Sequence, residues 1–545
     1  MWQPALADLR RAPTSVGQTA RVPDARRIVE EAEARLAPLS EEMNLAWWAS
    51  QVEATEQNAE RRERAEIAWS DALADREQFA AVETARRNGA ADDVARRLDL
   101  LRDAMLRRQI PDGLRSRIVE LETSVDLRFS RHRGIVGGAE VGDTEITRIL
   151  RRSDDPRERR EAWEASKIVG AVVADDVREL ARLRNEAART LGYRDWFALS
   201  LATDELDENR LVATLAETDR VTAEPFARWN SALGERLADR FGCAVADLRP
   251  WHHADPFFQE VPPDGAVDLD PYFDGADIVG LARRTIEGVG LDAAGIIERS
   301  DVYPRDGKNQ HAFCIDIDRR GDVRVLANLV TTHESADTML HELGHGVYDL
   351  GFRDDLPWLL RSTHLVATEA SALLFGSLPG RREWLERILG LSPREADELE
   401  PRLRGARAVQ LLVFTRWVLV MNAFERALYA NPDGDLDALW WELVSRYQHV
   451  TPPDDRRAPD WAAKIHIAVS PVYYHTYLYG AIVALQLDAA LESEVGGIVD
   501  RADAGALLRE RLFAPGQSVR WDRLVEDASG SPLSVESLAR AVAAA

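Results

Sequence analysis

Residues 337–349 read DTMLHELGHGVYD, and within them His341, Glu342 and His345 stand in the order His-Glu-x-x-His. A spacing of four puts His341 and His345 one turn apart on one face of an α-helix. There both imidazoles can reach a single tetrahedral metal ion, for which Zn²⁺ is the natural occupant. Glu342 lies beside them, placed to take a proton from a metal-bound water as that water attacks a carbonyl. Thr338, Met339 and Leu340 before the motif, and Val347 and Leu350 after it, continue a helical pattern. The segment therefore predicts a helix carrying two metal ligands and a general base.

A catalytic zinc needs a third protein ligand. An extended motif with Gly at 348 and His at 351 is not met, because those residues are Tyr348 and Gly351. The stretch HLVATEASALLFGSL, residues 364–378, supplies Glu369, 24 residues after His345. Leu365, Ala372 and Leu373 predict an inward-packed helix that holds this carboxylate against the first one. His364, five residues earlier, is the alternative third ligand.

Outward from this centre the chain reads as mainly α. Leu114, Ile118, Leu121 and Val125 mark one buried helical face, and QIPDG, residues 109–113, breaks the chain before it. In DDPRERREAW, residues 154–163, Asp155 suits an N-cap and Pro156 the first helical position, with Glu158 at capping-box spacing. Between 241 and 275 the texture changes to Pro, His and aromatics, as in DLRPWHHADPFFQEVPPDG, residues 247–265. HAFCIDID, RRGD and VRVLANLV, residues 311–330, then predict a β-hairpin. The expected architecture is a large helical, two-lobed protein with a deep central cleft and one small antiparallel sheet. Residues 1–250 form a helical half that roofs the cleft and 251–545 the half that holds the site, in one continuous unit.

Composition narrows the function. The 545 residues carry 69 Lys and Arg against 93 Asp and Glu, a net charge of −24. Such a field repels phosphate backbones and anionic lipid, so neither nucleic acid nor a membrane surface is an expected partner. Two cysteines, Cys243 and Cys314, form no CxxC pair and make no disulfide framework. The opening residues, MWQPALADLRRAPTS, show no apolar signal region, and no long uncharged apolar run follows. The expected location is cytoplasmic, and the sequence sets no oligomeric state.

In order, HAFCIDID, HELGHGVYD, DDLPWLLRSTHLVATEA and KIHIAVSPVYYHTYLYG resemble the gluzincin zinc peptidases of the angiotensin-converting-enzyme family. They also resemble the related thimet oligopeptidase and oligopeptidase F group. REAWEASKIVG (160–170) and RLRNEAARTLGYRDWFALSL (182–201) extend the likeness upstream. The resemblance implies one Zn²⁺ held by His341, His345 and Glu369, with Glu342 as base. It implies that His311 and Ala312 begin the strand that binds the peptide backbone. It implies that His466 hydrogen-bonds substrate and that Lys464 receives the C-terminal carboxylate. Of a Tyr-x-x-Tyr pair, it makes Tyr477 the oxyanion donor, with Tyr474 or Tyr473 as its partner.

Apart from the resemblance, the tyrosines at 473, 474, 477 and 479 read equally as helix packing, Lys464 as a surface lysine and His466 as a core histidine. His252 and His253 read as structural. Two departures stand out. Thr476 replaces the arginine that binds an activating chloride in the animal enzymes, so chloride dependence is not expected. Leu373 replaces an aspartate that steadies a zinc histidine, so another acceptor must do so, with Asp349 as a neighbour in sequence. The expected substrates are short peptides, shortened by release of C-terminal dipeptides, with internal cleavage of oligopeptides as the alternative.

Overall fold

The face marked by Leu114, Ile118 and Val125 is buried in a helix, Asp112–Arg131, that begins just after the Pro111 break. This holds in a computed structural model that describes residues 24–261, 267–543 and 545. Helices dominate throughout. The 35-residue helix Pro156–Thr190 starts as its sequence predicts. Asp155 caps it by accepting from the Arg157 N–H, and Pro156 occupies the first turn. The capping box does not close, because the Glu158 carboxylate takes the Ser153 hydroxyl instead.

The predicted hairpin is present. Phe313–Asp316 pairs antiparallel with Val323–Leu326, Phe313 opposite Leu326 and Asp316 opposite Val323. Leu326 is bridged on its other side by Asp301, which leaves Phe313–Asp316 as the edge strand. A second hairpin, Gly134–Val136 with Ala139–Val141, lies inside the half expected to be almost wholly helical. Gly137 and Gly138 turn it, both at positive φ, as a two-residue hairpin loop requires.

A continuous apolar core runs from Ile110 to Val542 and passes residue 250 without interruption. The first helices form a satellite cluster, in which Val29, Leu36, Leu98 and Leu101 pack with Leu359. Trp48 of the first helix seats on Ile317 and Leu326, at the small sheet. The longest helix, Pro393–Ala430, opens with a closed capping box between Ser392 and Glu395. It is long and apolar enough to cross a bilayer, but 72% of its apolar window is buried inside the protein, as in a core helix.

Three helices set the site. His333–Asp349 carries HELGH, Leu365–Gly376 carries Glu369, and Tyr474–Val495 carries the tyrosines. They approach closely because two contact points lack side chains. A Cβ on Gly344 would lie 2.8 Å from Ala372 Cα, and one on Gly480 would lie 2.7 Å from Glu369 Cγ. Ser371 Oγ donates to the Gly344 carbonyl at 2.8 Å and pins the first pair together. Leu365, expected to face inward, is instead 44% exposed at the start of its helix, while Ala372 is buried.

Candidate metal centre and peptide site

His341, His345 and Glu369 come together, each offering a ligand atom within 4.8 Å of the others. His345 Nε2 lies 3.9 Å from Glu369 Oε2. Burial opposes the ordinary charge of all three. It lowers His341 to about 4 and His345 to about 3, and raises Glu369 to about 7. Neutral imidazoles are what a metal requires, and a buried carboxylate with no cationic partner is what a metal relieves. The donor set fits Zn²⁺.

His364 is used elsewhere. It caps the Glu369 helix by accepting from the Val366 N–H, and its Nε2 contacts the Asp204 carbonyl at 2.8 Å. Asp349 does not steady the histidines, since its charged neighbours are Asp316 and Arg319. Thr368 does so for one of them: His345 Nδ1 is 2.7 Å from Thr368 Oγ1. With Nδ1–H donating there, Nε2 is bare and points to the metal position. Thr368→Val should therefore weaken zinc affinity by about 10- to 100-fold with the fold intact. Chelator competition measures this, and an unchanged affinity would refute the role.

Glu342 is buried, and the Cys314 backbone N–H of the edge strand hydrogen-bonds its carboxylate. Burial, then the charge of Glu369, raises it to about 8. His311 and Ala312 directly precede that strand; His311 is exposed and its N–H donates to Asn309 Oδ1. Cys314 and Cys243 are both free.

A cavity of about 890 Å³ opens on the metal position, with His341, Glu369, Leu373, Phe414 and Tyr477 in its wall. Burial and then Glu369 raise the Tyr477 phenol, so it stays protonated. Tyr473 also feels Glu369, and its ring meets Tyr477 at 5.1 Å. The Tyr474 ring lies between Tyr477 at 5.6 Å and Trp417 and His466, with ring centroids at 6.0 and 5.3 Å.

Beside Tyr474 lies the second cluster. Lys464 is 9% exposed, and its Nζ donates to Gln259 Oε1 at 2.9 Å. The ammonium sits over the rings of Phe257, Trp417 and Tyr474 at 5.2, 5.4 and 5.9 Å. Among the described residues no carboxylate pairs with it. Asp255, the acid that acts on it most, is occupied by the N–H groups of Phe257, Gln259 and Glu260. Burial lowers Lys464 to about 8. His466 is lowered to about 4 by burial and then by Lys464, and its Nδ1 has no hydrogen-bond partner among the described residues. Gln259, Phe257 and Trp417 were not singled out from sequence; no spacing links Gln259 to a lysine 205 residues later. His252 and His253 are buried and structural, with His253 stacked on Phe258 at 4.0 Å.

These features make a candidate zinc centre of the gluzincin pattern, with two ligands from His-Glu-x-x-His and a glutamate from a second helix. Comparison with known proteins agrees. Residues 296–544 match the family model of Peptidase family M3, and residues 19–218 match that of angiotensin-converting enzyme. The chain is thus similar to both peptidase families, one in each half. Angiotensin-converting enzyme of Mesocricetus auratus is 23% identical over 539 residues, covering 89% of this chain and 40% of that protein. The Rattus norvegicus enzyme is 24% identical over 431 residues, covering 71% and 32%. The Mus musculus enzyme is 27% identical over 245 residues, covering 42% and 18%. The chain thus spans 40% or less of the length of these relatives.

Proposed function

We propose that the protein hydrolyses peptide bonds in short peptides and releases C-terminal dipeptides. The observation that carries this reading is the buried, carboxylate-free Lys464 ammonium, held by Gln259 one residue pair away from the oxyanion donor. The Tyr474 ring bridges the distance, 5.6 Å from that of Tyr477. A free peptide carboxylate arriving there would offset the desolvation of Lys464 and gain a charge-assisted hydrogen bond. His466, with its unpartnered ring nitrogen, stands ready for a substrate carbonyl.

A bound Zn²⁺ would polarise the scissile carbonyl and bring the pKa of a water toward about 7. Glu342 accepts the proton of the attacking water and returns it to the leaving amine. The Tyr477 hydroxyl donates to the developing oxyanion. Within the edge strand Glu342 takes the Cys314 N–H and Asn44 donates to the Asp316 carbonyl, so an extended peptide backbone would pair with the residues just before it, at Ala312.

Internal cleavage of oligopeptides is the second reading, favoured by the match of residues 296–544 to Peptidase family M3. Product mapping on one peptide with a free or an amidated C-terminus separates the two. Dipeptide release confined to the free form supports the first reading, and equal internal cleavage of both forms overturns it.

A further inference from the structure

The metal cavity has a neighbour. Arg407 and Gln410 line both it and a second cavity of about 790 Å³. The second wall carries Arg236, Arg402, Arg407 and His333, and no carboxylate among the described residues that line it. That composition is unusual in a chain of net charge −24. Arg407 is fixed in place, donating to the Gly380 carbonyl and facing Glu400 at 3.6 Å. Arg236 and Arg402 are exposed and form no ion pair among the described residues. By contrast, Arg381 of the metal cavity is paired to Asp488 at 2.5 Å.

Of the acids near this wall, Glu400 faces Arg407, and two others are occupied or neutralised. Asp270 accepts the His333 backbone N–H at 2.9 Å. Asp337, 3.5 Å from His333 Nε2, is buried and pushed strongly toward its neutral form. His333 Nε2 has no hydrogen-bond partner among the described residues. The remaining wall, with Trp229, Leu233 and Leu403, is apolar. Arg236, Arg402 and Arg407 thus set cationic donors above an apolar floor, while burial lowers the pKa of His333 and keeps it a neutral imidazole.

Two helical rulers place it relative to the site of cleavage. His333 precedes His341 by eight residues of one helix, about 12 Å. Arg407 precedes Phe414, whose ring meets Tyr477, by seven residues of another, about 10 Å. An extended peptide covers that distance in about three residues.

We propose that the cavity lined by Arg236, Arg402, Arg407 and His333 is a specificity subsite for an acidic side chain, Asp or Glu, of the substrate peptide. This rests on the peptidase reading above. It selects among peptides whose cleaved bond lies at the His341, His345 and Glu369 cluster.

The test walks Asp or Glu, its amide and Lys through each position of a peptide series, cleaved by the full zinc-loaded chain. The expected result is a kcat/KM advantage of about tenfold for the acid over its amide, about three residues from the cleaved bond. It should be carried by KM. The double variant Arg236→Gln, Arg402→Gln, exposed at both positions, should lose that advantage and cleave the amide peptide like wild type. No acidic preference at any position, or a preference that survives in the variant, overturns the subsite. Binding of the same fluorescently labelled peptides to Glu342→Gln protein separates the two failures. Tighter binding of acidic peptides without any wild-type cleavage would overturn the peptidase reading and leave the subsite standing. Equal binding of acid and amide would overturn the subsite.

Discussion

Glu342→Gln should lower turnover by roughly 10³-fold, within the range that a positioned general base contributes, while the protein still binds zinc. Glutamine keeps an acceptor for the Cys314 N–H and fills the same volume beside Leu343. It cannot take a proton from water. The carboxylate of Glu342 is buried beside the three ligand groups, and no other unspent carboxylate stands with them among the described residues. Steady-state kinetics together with metal analysis of the same preparation decide the matter. A variant that keeps zinc and wild-type turnover would remove Glu342 from the mechanism, whereas a variant that loses zinc would make it a structural residue.

Lys464→Met carries the second large effect. Methionine preserves packing against Phe257, Trp417 and Tyr474 and removes only the ammonium. For peptides with a free C-terminus, kcat/KM should fall roughly 100-fold, the scale of one lost charge-assisted hydrogen bond in a dry site. Amidated peptides should be cleaved equally by variant and wild type. The comparison across both peptide forms distinguishes a carboxylate receptor from a residue that only supports the fold, since a structural role would depress both forms alike.

The centre of the site was readable because its geometry is local. A spacing of four on a helix dictates that His341 and His345 share a face, and Glu369 follows on the next buried helix. The hairpin at 313–326 was readable from two β-prone runs around a Gly-containing turn. The hairpin at 134–141 carried the same signal, the Gly137–Gly138 pair, and was passed over amid strongly helical flanks.

What escaped the sequence depends on tertiary contact. Thr368 steadies His345 because the second helix brings a hydroxyl alongside the ring, and a single threonine before a glutamate carries no pattern. Gln259 meets Lys464 only through the packing of the mid-chain connection against the long helix. Asp349, a neighbour in sequence, lies elsewhere for a related reason. Proximity in sequence on a helix does not set direction, and its carboxyl faces Asp316 and Arg319.

The central claim is that His341, His345 and Glu369 hold a zinc ion that peptide cleavage requires. Metal analysis of the purified chain, followed by peptide cleavage before chelation, after chelation and after return of Zn²⁺, tests it most directly. One zinc per chain is expected, with activity lost with the metal and restored by it. Protein that binds no zinc, or that cleaves peptides unchanged once stripped of metal, would contradict it.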